Sequence, residues 1–246
     1  MTTRPTVLLR LVVLVTLFTV ACALLATLGL WQLHRAESKR ERYDEFSTRL
    51  AAPPVDLDNL RDDLAADDYR WRRAEVRGRY RDLHVLLDNR VQHGRAGYEV
   101  LTPLATAGGH IVLVDRGWVP LPSSREAVPE LTAPQDPYLV RGFLGEPPVT
   151  GVALNAAAGD AEWLGPRVLR VQHLDLAALA PLLGFRPFPG VLYLDSDGPG
   201  ALAVEWSLPG DGSARHVAYA VQWFAMAAVL AGIGAWNWRR ARHHHD

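Results

Sequence analysis

Two long apolar runs without a charged residue lie near the two ends of this 246-residue chain. Leu11–Leu33 comprises 23 residues and Val217–Trp238 comprises 22. As α-helices rising about 1.5 Å per residue, they would extend about 33–35 Å, enough to cross a hydrocarbon core of about 30 Å. Each run is apolar on all sides, which is typical of membrane-spanning helices. The sequence therefore predicts a membrane hairpin that carries an insert of 183 residues, 34–216.

These two spans divide the chain into five segments. Residues 1–10 and 239–246 would be tails on one side of the membrane, and residues 34–216 a domain on the other. Basic residues near the second span favour tails inside the cell, and those near the first mildly favour the reverse, so charge leaves the orientation open. A cleaved signal peptide is the alternative for the first run, but an apolar core of about 7–15 residues is usual there, which favours an uncleaved anchor.

The insert has the pattern of a β-rich domain. Residues 34–50 are dense in charge and are expected to prolong the first helix, which Ala51–Pro54 ends. One helix is predicted inside the insert, Leu174–Leu183, begun by Asp175 and ended by Gly184. Strands are predicted at eight places: 74–80, 84–89, 98–104, 110–118, 138–144, 167–172, 191–195 and 201–208.

The predicted fold class is a membrane α+β protein. Two transmembrane helices, 11–33 and 217–238, flank a mainly antiparallel sheet or partly closed barrel with one short helix. Gly108–Gly109 suits a hairpin turn between the third and fourth strands. Residues 121–137 are expected to form a loop, and residues 145–166 an irregular segment rich in Gly, Pro and Ala.

Composition excludes several classes of protein. One cysteine and two methionines rule out an internal disulfide, a thiolate metal cluster and a copper site with several sulfur ligands. A net charge of −1 provides no field that would attract nucleic acid. The sequence contains neither a Gly-x-Ser-x-Gly elbow nor a glycine-rich phosphate loop. We therefore expect no enzymatic activity.

The end of the first span carries residues suited to contact with another helix. Gly29 would let a second helix approach closely, and Gln32 could hydrogen-bond across the gap between them. Trp31 suits the aromatic belt at the membrane interface, and Arg35 suits the layer of lipid headgroups.

His216 stands where the second span begins. At helical spacing it shares one face with Tyr219, Ala220 and Trp223. The positive end of the helix dipole disfavours a protonated imidazole, and a neutral imidazole beside an apolar helix is what an iron ligand requires. A polar interfacial residue without a ligand is the alternative, and the residues alone leave both interpretations open.

Arg116 lies in the segment 112–120, which is predicted to form a strand that ends in a tight turn. One interpretation is a surface or salt-bridged residue. The other is a binding site for an anion, because a guanidinium pairs well with carboxylates.

Three motifs in this order point to a family. The first span ends in Gly-x-Trp-Gln-x-x-Arg, formed by Gly29, Trp31, Gln32 and Arg35. Val114–Pro120 matches a Val-Asn-Arg-Gly-Trp-Val-Pro element, with an Asp in place of the Asn. The second span opens with a His-Leu-x-Tyr-Ala-x-x-Trp-Phe motif, matched by His216, Tyr219, Ala220, Trp223 and Phe224. The chain thereby resembles the surfeit locus protein 1 family of cytochrome oxidase assembly factors.

The resemblance implies a non-enzymatic role in maturing heme–copper oxidase. Members are proposed to hold heme, often heme a, with the second-helix histidine, here His216, as iron ligand. The implied partners are the catalytic subunit of cytochrome c oxidase, with heme a synthase as a further candidate, and the lipid bilayer. The resemblance also implies a multi-pass protein of a bacterial plasma membrane, with the insert outside and both termini in the cytoplasm.

A heme site at the helix pair is the resulting hypothesis. Small residues would let the helices approach and leave a narrow slot: Gly29, Ala220, Ala227 and Ala231. Aromatic rings would cover the heme, including Phe224, and propionates would reach arginines, including Arg215. The predicted heme-binding residues are His216, Tyr219, Trp223, Trp31, Gln32, Arg35 and Arg116, with His216 as the metal ligand. The alternative is a heme-free scaffold that stabilises an oxidase assembly intermediate.

Overall fold

The structure is a computed structural model that describes residues 4–59, 66–148, 161–206, 210 and 212–243. The chain divides into two compact units. A helical unit comprises Met1–Glu45 and Pro209–Asp246, and a β unit comprises Phe46–Leu208. This confirms the predicted arrangement of a long apolar helix at each end of a sheet-rich domain.

The two terminal helices contain the predicted spans. Helix α1 runs over Arg4–Ala51 and helix α4 over Ser213–His243. As expected, α1 continues through the charged residues after the first span and ends just before Pro53, because proline disfavours helical geometry in the residue before it. Both helices are long and apolar enough to cross a membrane.

In the helical unit, α1 and α4 pack along a seam with a heptad-like repeat. The less exposed positions recur at alternating intervals of three and four residues, as in a coiled coil. On α1 they are Phe18, Cys22, Leu25, Gly29, Gln32 and Ala36, and on α4 they are His216, Ala220, Trp223, Ala227, Leu230 and Gly234. The contacts of this seam are those of an antiparallel pair.

In its described residues, the β unit contains nine strands, two short α-helices and a 3₁₀ helix at Leu57–Asn59. Helix α2 is a single turn, Ala66–Tyr69, and helix α3 spans Leu176–Leu183. The strands, in chain order β1 to β9, are Val55–Asp56, Arg73–Tyr80, His84–Gln92, Arg95–Thr106, Ile111–Pro120, Tyr138–Gly145, Glu162–Trp163, Val168–Val171 and Val191–Leu194.

Five of these strands close into a barrel in the order β2-β6-β9-β5-β4. The ring shuts where Gly78–Tyr80 of β2 pairs with Leu104–Thr106 of β4. The first half of β4 instead pairs with β3, from which β8 and β7 continue the sheet. Six of the nine strand pairs in the described residues are antiparallel. The prediction of a mainly antiparallel sheet or partly closed barrel is confirmed.

Alternating side chains fill the barrel and cover its outside. Along these strands, buried apolar residues at every second position point into the barrel, including Val76 of β2, Val114 of β5 and Leu192 of β9. Residues of the opposite parity on β5 and β9 contact α3 through its buried leucines. The caps of α3 are as predicted: Asp175 accepts from two backbone N–H groups, and Gly184 has a φ of 73°.

Two predicted segments of the insert are wrong. The described part of 201–208 is no strand, because it makes a single bridge, between Ala203 and Trp118. The segment 145–166 was predicted to be irregular, but Glu162–Trp163 pairs with β8 as a short strand; residues 149–160 lie outside the described part of the chain. The bridge of Ala203 to Trp118 joins segments distant in sequence, and β7 is only two residues long, so neither pairing has a local sequence pattern.

Candidate functional site

The first and third motifs meet at the seam of the helical unit. His216 lies in the first turn of α4, and Gln32 lies near the middle of α1. The two side chains are hydrogen-bonded, with 2.8 Å between His216 Nδ1 and Gln32 Oε1. The expectation that Gln32 bonds across the gap between the helices is therefore confirmed.

This hydrogen bond determines which ring nitrogen carries the proton. An amide oxygen only accepts, so Nδ1 of the imidazole must be the donor. In the neutral ring Nε2 then keeps its lone pair. No residue in the described part of the chain hydrogen-bonds to Nε2 of His216. The site thus presents one unused nitrogen ligand.

Below this pair the helices are in close contact. Ala220, one turn along from His216, is fully buried, and Gly29 is buried opposite. A Cβ placed on Gly29 would lie 2.7 Å from the ring of Phe224, so a larger residue here would require that ring to move. The predicted slot between the helices is wrong at this level, because the Phe224 ring occupies the space beside Gly29.

The other small residues of the hypothesis differ in their placement. Ala227 lies in the seam, but Ala231 is exposed. Its expected role is taken by Gly234, where an added Cβ would lie 2.5 Å from Phe18 Cζ. Two glycine and phenylalanine pairs, one near each end of the seam, therefore set how closely α1 and α4 approach.

Aromatic and basic side chains surround the pair of Gln32 and His216. Trp31 is 58% exposed and Tyr219 is 47% exposed, while Trp223 is half-buried in the seam. Arg35 and Arg215 are also exposed. At about 100° per residue, four of these side chains lie on the same side of the seam. We call them the aromatic flank: Trp31, Arg35, Arg215 and Tyr219.

Arg116 lies in the β unit, in the interior of the barrel. Its side chain is 1% exposed and lies over the ring of Tyr80. The guanidinium donates to the carbonyl oxygens of Gly200 at 2.7 Å and Thr132 at 2.6 Å, and to the Thr102 hydroxyl at 3.3 Å. With its donors engaged inside the domain, Arg116 is left out of the heme site proposed below.

The rest of the second motif also serves the β unit. Gly117 has a φ of 109°, and an added Cβ would lie 2.7 Å from the Ala203 carbonyl oxygen. The indole N–H of Trp118 donates to the Arg90 carbonyl oxygen at 3.1 Å. The motif therefore ties the segment after β9 to the barrel, a role that its sequence does not suggest.

A buried acidic pair beside this motif was missed by sequence reasoning. Asp115 is fully buried and accepts from the Gly117 N–H at 3.1 Å. Burial and the neighbouring Glu99 carboxylate hold the pKa of Asp115 well above its usual value. Glu99 is in turn 2.7 Å from the Arg90 guanidinium. The only sequence signal was two acidic residues within apolar strands.

Among the described residues, no three His, Cys, Asp or Glu side chains group as a metal site requires. His84, buried in the β unit, is hydrogen-bonded to the Thr102 hydroxyl at 2.9 Å, and burial, with Arg116 nearby, lowers its pKa to about 4. Because Nε2 of His216 has no hydrogen-bond partner among the described residues, His216 is a candidate to ligate a prosthetic group through this one nitrogen.

The fold and the site together define a class: a β-barrel unit inserted between two paired apolar helices, with an imidazole held at the helix seam. The SURF1 family model matches residues 19–229. An uncharacterized SURF1-like protein from Mycobacterium tuberculosis is 31% identical over 231 residues, covering 92% of this chain and 81% of the relative. The chain belongs to the SURF1 family, a family of oxidase assembly factors.

More distant relatives are similar over shorter stretches. A SURF1-like protein from Rickettsia felis is 30% identical over 112 residues, which is 44% of this chain and 45% of the relative. One from Dictyostelium discoideum is 31% identical over 111 residues, 42% of this chain and 41% of the relative.

Proposed function

We propose that this chain is a membrane-anchored assembly factor that holds heme, of the heme a type, for insertion into the catalytic subunit of cytochrome c oxidase. The observation that carries the proposal is the hydrogen bond between Gln32 and His216. It joins the two helix motifs into one site and leaves Nε2 of the imidazole without a hydrogen-bond partner among the described residues.

The residues at the helix seam fit a heme. His216 Nε2 is the type of donor that binds heme iron. Trp31 and Tyr219 offer exposed rings for an apolar macrocycle, and Arg35 and Arg215 offer guanidinium groups for propionates. Bound heme would supply only its own redox and ligand chemistry, which the oxidase uses after transfer.

A carrier must bind its cargo and also release it. The described residues supply a single imidazole at the seam rather than a pair of axial ligands. Because Phe224 fills the space between the helices at Gly29, heme would lie on the aromatic flank, from which it can leave sideways. An open site of this kind suits transfer to the catalytic subunit, with heme a synthase as the donor.

The membrane arrangement belongs to the same proposal. Both helices have the length and composition of spans, and the end of the helical unit away from His216 carries a group of basic residues: Arg10, Arg239, Arg240 and Arg242. Positive charge favours the cytoplasmic side. The β unit and the heme site would then face the outside of a bacterial plasma membrane.

Replacing His216 by Ala tests the proposal. The full chain, produced in cells that make heme a and purified in detergent, should carry bound heme with a Soret band, and His216→Ala should lose at least nine-tenths of it. His34→Ala, an exposed histidine of α1, is the matched control and should keep its heme. If the wild type carries oxidase subunits but no heme, the carrier function is wrong and the heme-free scaffold is favoured. If His216→Ala keeps an unchanged spectrum, the carrier function at this site is also wrong.

A further inference from the structure

Gln32 has a chemical consequence for His216 that goes beyond pairing two helices. An imidazole without a fixed partner can carry its proton on either nitrogen. Here Gln32 Oε1 lies 2.8 Å from Nδ1 and accepts only, so it selects the form with the proton on Nδ1. In the neutral ring, Nε2, the nitrogen that can bind iron, therefore keeps its lone pair.

The backbone around the pair keeps this contact in place. Gly29 lies one turn before Gln32 on α1, and Ala220 lies one turn after His216 on α4. The absence of a side chain at Gly29 and the single methyl group of Ala220 allow a close approach, which brings the Gln32 amide within hydrogen-bond distance of the His216 ring. A hydrogen bond between rigid helices orients the ring as well as setting its proton.

A neutral amide as the partner of Nδ1, rather than a carboxylate, would keep the bond from His216 to heme iron weaker. A carboxylate partner would pull more proton density from Nδ1 and make the imidazole a more basic ligand. It would also place a charge beside an apolar seam, which is costly. The amide orients the ring while keeping the ligand weaker, as a site that must release its cargo requires.

We infer that Gln32 is a positioning residue that holds the imidazole of His216 in the form with Nδ1 protonated, so that Nε2 faces its ligand with moderate basicity. This inference rests on the proposed function, since it names how the same site is prepared. It assigns a role to the glutamine of the first motif through the histidine of the third motif, His216.

The first measurement needs no heme. In the full chain reconstituted in nanodiscs and labelled with ¹⁵N-histidine, ring nitrogens with and without a proton give separate NMR signals, and a His216→Ala spectrum identifies those of His216. The wild type should show Nδ1 protonated. Gln32→Met, which keeps the length of the side chain but loses the acceptor, should lose this preference.

The second measurement uses ferric heme b as the probe. Gln32→Met should bind it about 10–100-fold more weakly, the usual effect of losing the partner of a ligating histidine. Gln32→Glu should bind it more tightly, release it more slowly to apomyoglobin, and lower its midpoint potential. Gln222→Met, at an exposed glutamine of α4, is the matched control and should behave as wild type.

The outcomes separate this inference from the proposed function. If His216→Ala abolishes binding but Gln32→Met and Gln32→Glu both bind as the wild type does, the positioning role is overturned and the carrier stands. An unchanged NMR spectrum of His216 in Gln32→Met overturns it as well. If His216→Ala binds heme b normally, the proposed function itself fails, whatever the NMR spectra show.

Discussion

At the scale of single residues, the environment of Asp115 favours its neutral form. Asp115 stands where the related family element has Asn, and burial together with the Glu99 carboxylate raises the pKa of Asp115 well above its usual value. A protonated carboxyl, like an amide, can accept from Gly117 N–H with one oxygen and donate to Glu99 with the other atom. The departure from the family motif is thus small in chemical terms.

Asp115→Asn should make the protein less sensitive to alkaline pH. The folded pKa of Asp115 lies above that of the unfolded chain, so its proton is kept on folding, and stability falls as pH rises from about 4 towards the folded pKa. The difference in unfolding free energy between variant and wild type should therefore grow with pH, by up to about 1.4 kcal/mol per pH unit.

Thermal unfolding in detergent, followed by near-ultraviolet circular dichroism between pH 7 and 9, measures this difference. This pH range lies above the titration of His84. Because the pKa of His84 is lowered to about 4, His84 reduces stability only as the pH falls from about 6.5 to 4. Glu205→Gln, an exposed carboxylate in the same domain, is the control. Parallel curves for Asp115→Asn and wild type would show that Asp115 is ionised throughout.

Residue type predicted that Gln32 bonds across the helix seam, without naming His216 as its partner, but it did not predict the role of Arg116. Gln32 and His216 stand at ends of two spans of similar length, so a helical hairpin must bring them to the same level. Arg116 has the same side chain whether it binds an anion or buried carbonyls. Its environment comes from Gly200 and Thr132, which lie far from it in sequence.

At the scale of elements, the seam of α1 and α4 predicts a specific crosslink. Cys22 is the chain's single cysteine and lies in the seam, and the pairs of Gly29 with Phe224 and Phe18 with Gly234 place it level with Leu230. Leu230→Cys should therefore form an intramolecular disulfide with Cys22 under mild oxidation.

Val229→Cys is the matched control, because Val229 is 63% exposed and turned away from the seam. Migration on non-reducing gels and mass spectrometry of the linked peptides measure the product. Equal crosslinking at positions 229 and 230 would contradict the antiparallel seam described for the helical unit.

Elements with local patterns were predicted well, and those that depend on distant pairing were not. The hairpin at Gly108–Gly109 and the caps of α3 follow from their own residues. The hairpin between β3 and β4 is a local exception. It was missed because its turn, at which His93 and Gly94 both have positive φ, is not one of the usual dipeptides such as Asn-Gly. The parallel pairs of β5 with β9 and β3 with β8 have no local signature.

At the scale of the whole molecule, the proposed topology predicts which positions an impermeant reagent reaches. In a Cys22→Ser background, a cysteine at the exposed Glu130 of the β unit should react with an impermeant maleimide added to intact cells. A cysteine at Arg240, at the basic end of the helical unit, should react only after the cells are opened. Labelling is read from the mass shift of the purified protein, and the opposite pattern would reverse the orientation.

The division into two units was the most predictable property of the chain. Two uncharged runs of membrane-spanning length separate themselves from a charged insert on hydropathy alone. Closure of the insert into a ring was harder to foresee, because β4 serves two neighbours along one edge, β3 over its first half and β2 over its last residues.

That ring also dictates an order of events during synthesis. The meander β3-β4-β5 can form as soon as it leaves the ribosome or translocon, since its partners are adjacent in the chain. β9, at Val191–Leu194, pairs with β5 on one side and with β6 on the other, and it is synthesised only shortly before α4. Until then both of those edges stay unpaired, and a chain stalled before residue 191 would leave an open sheet prone to aggregation.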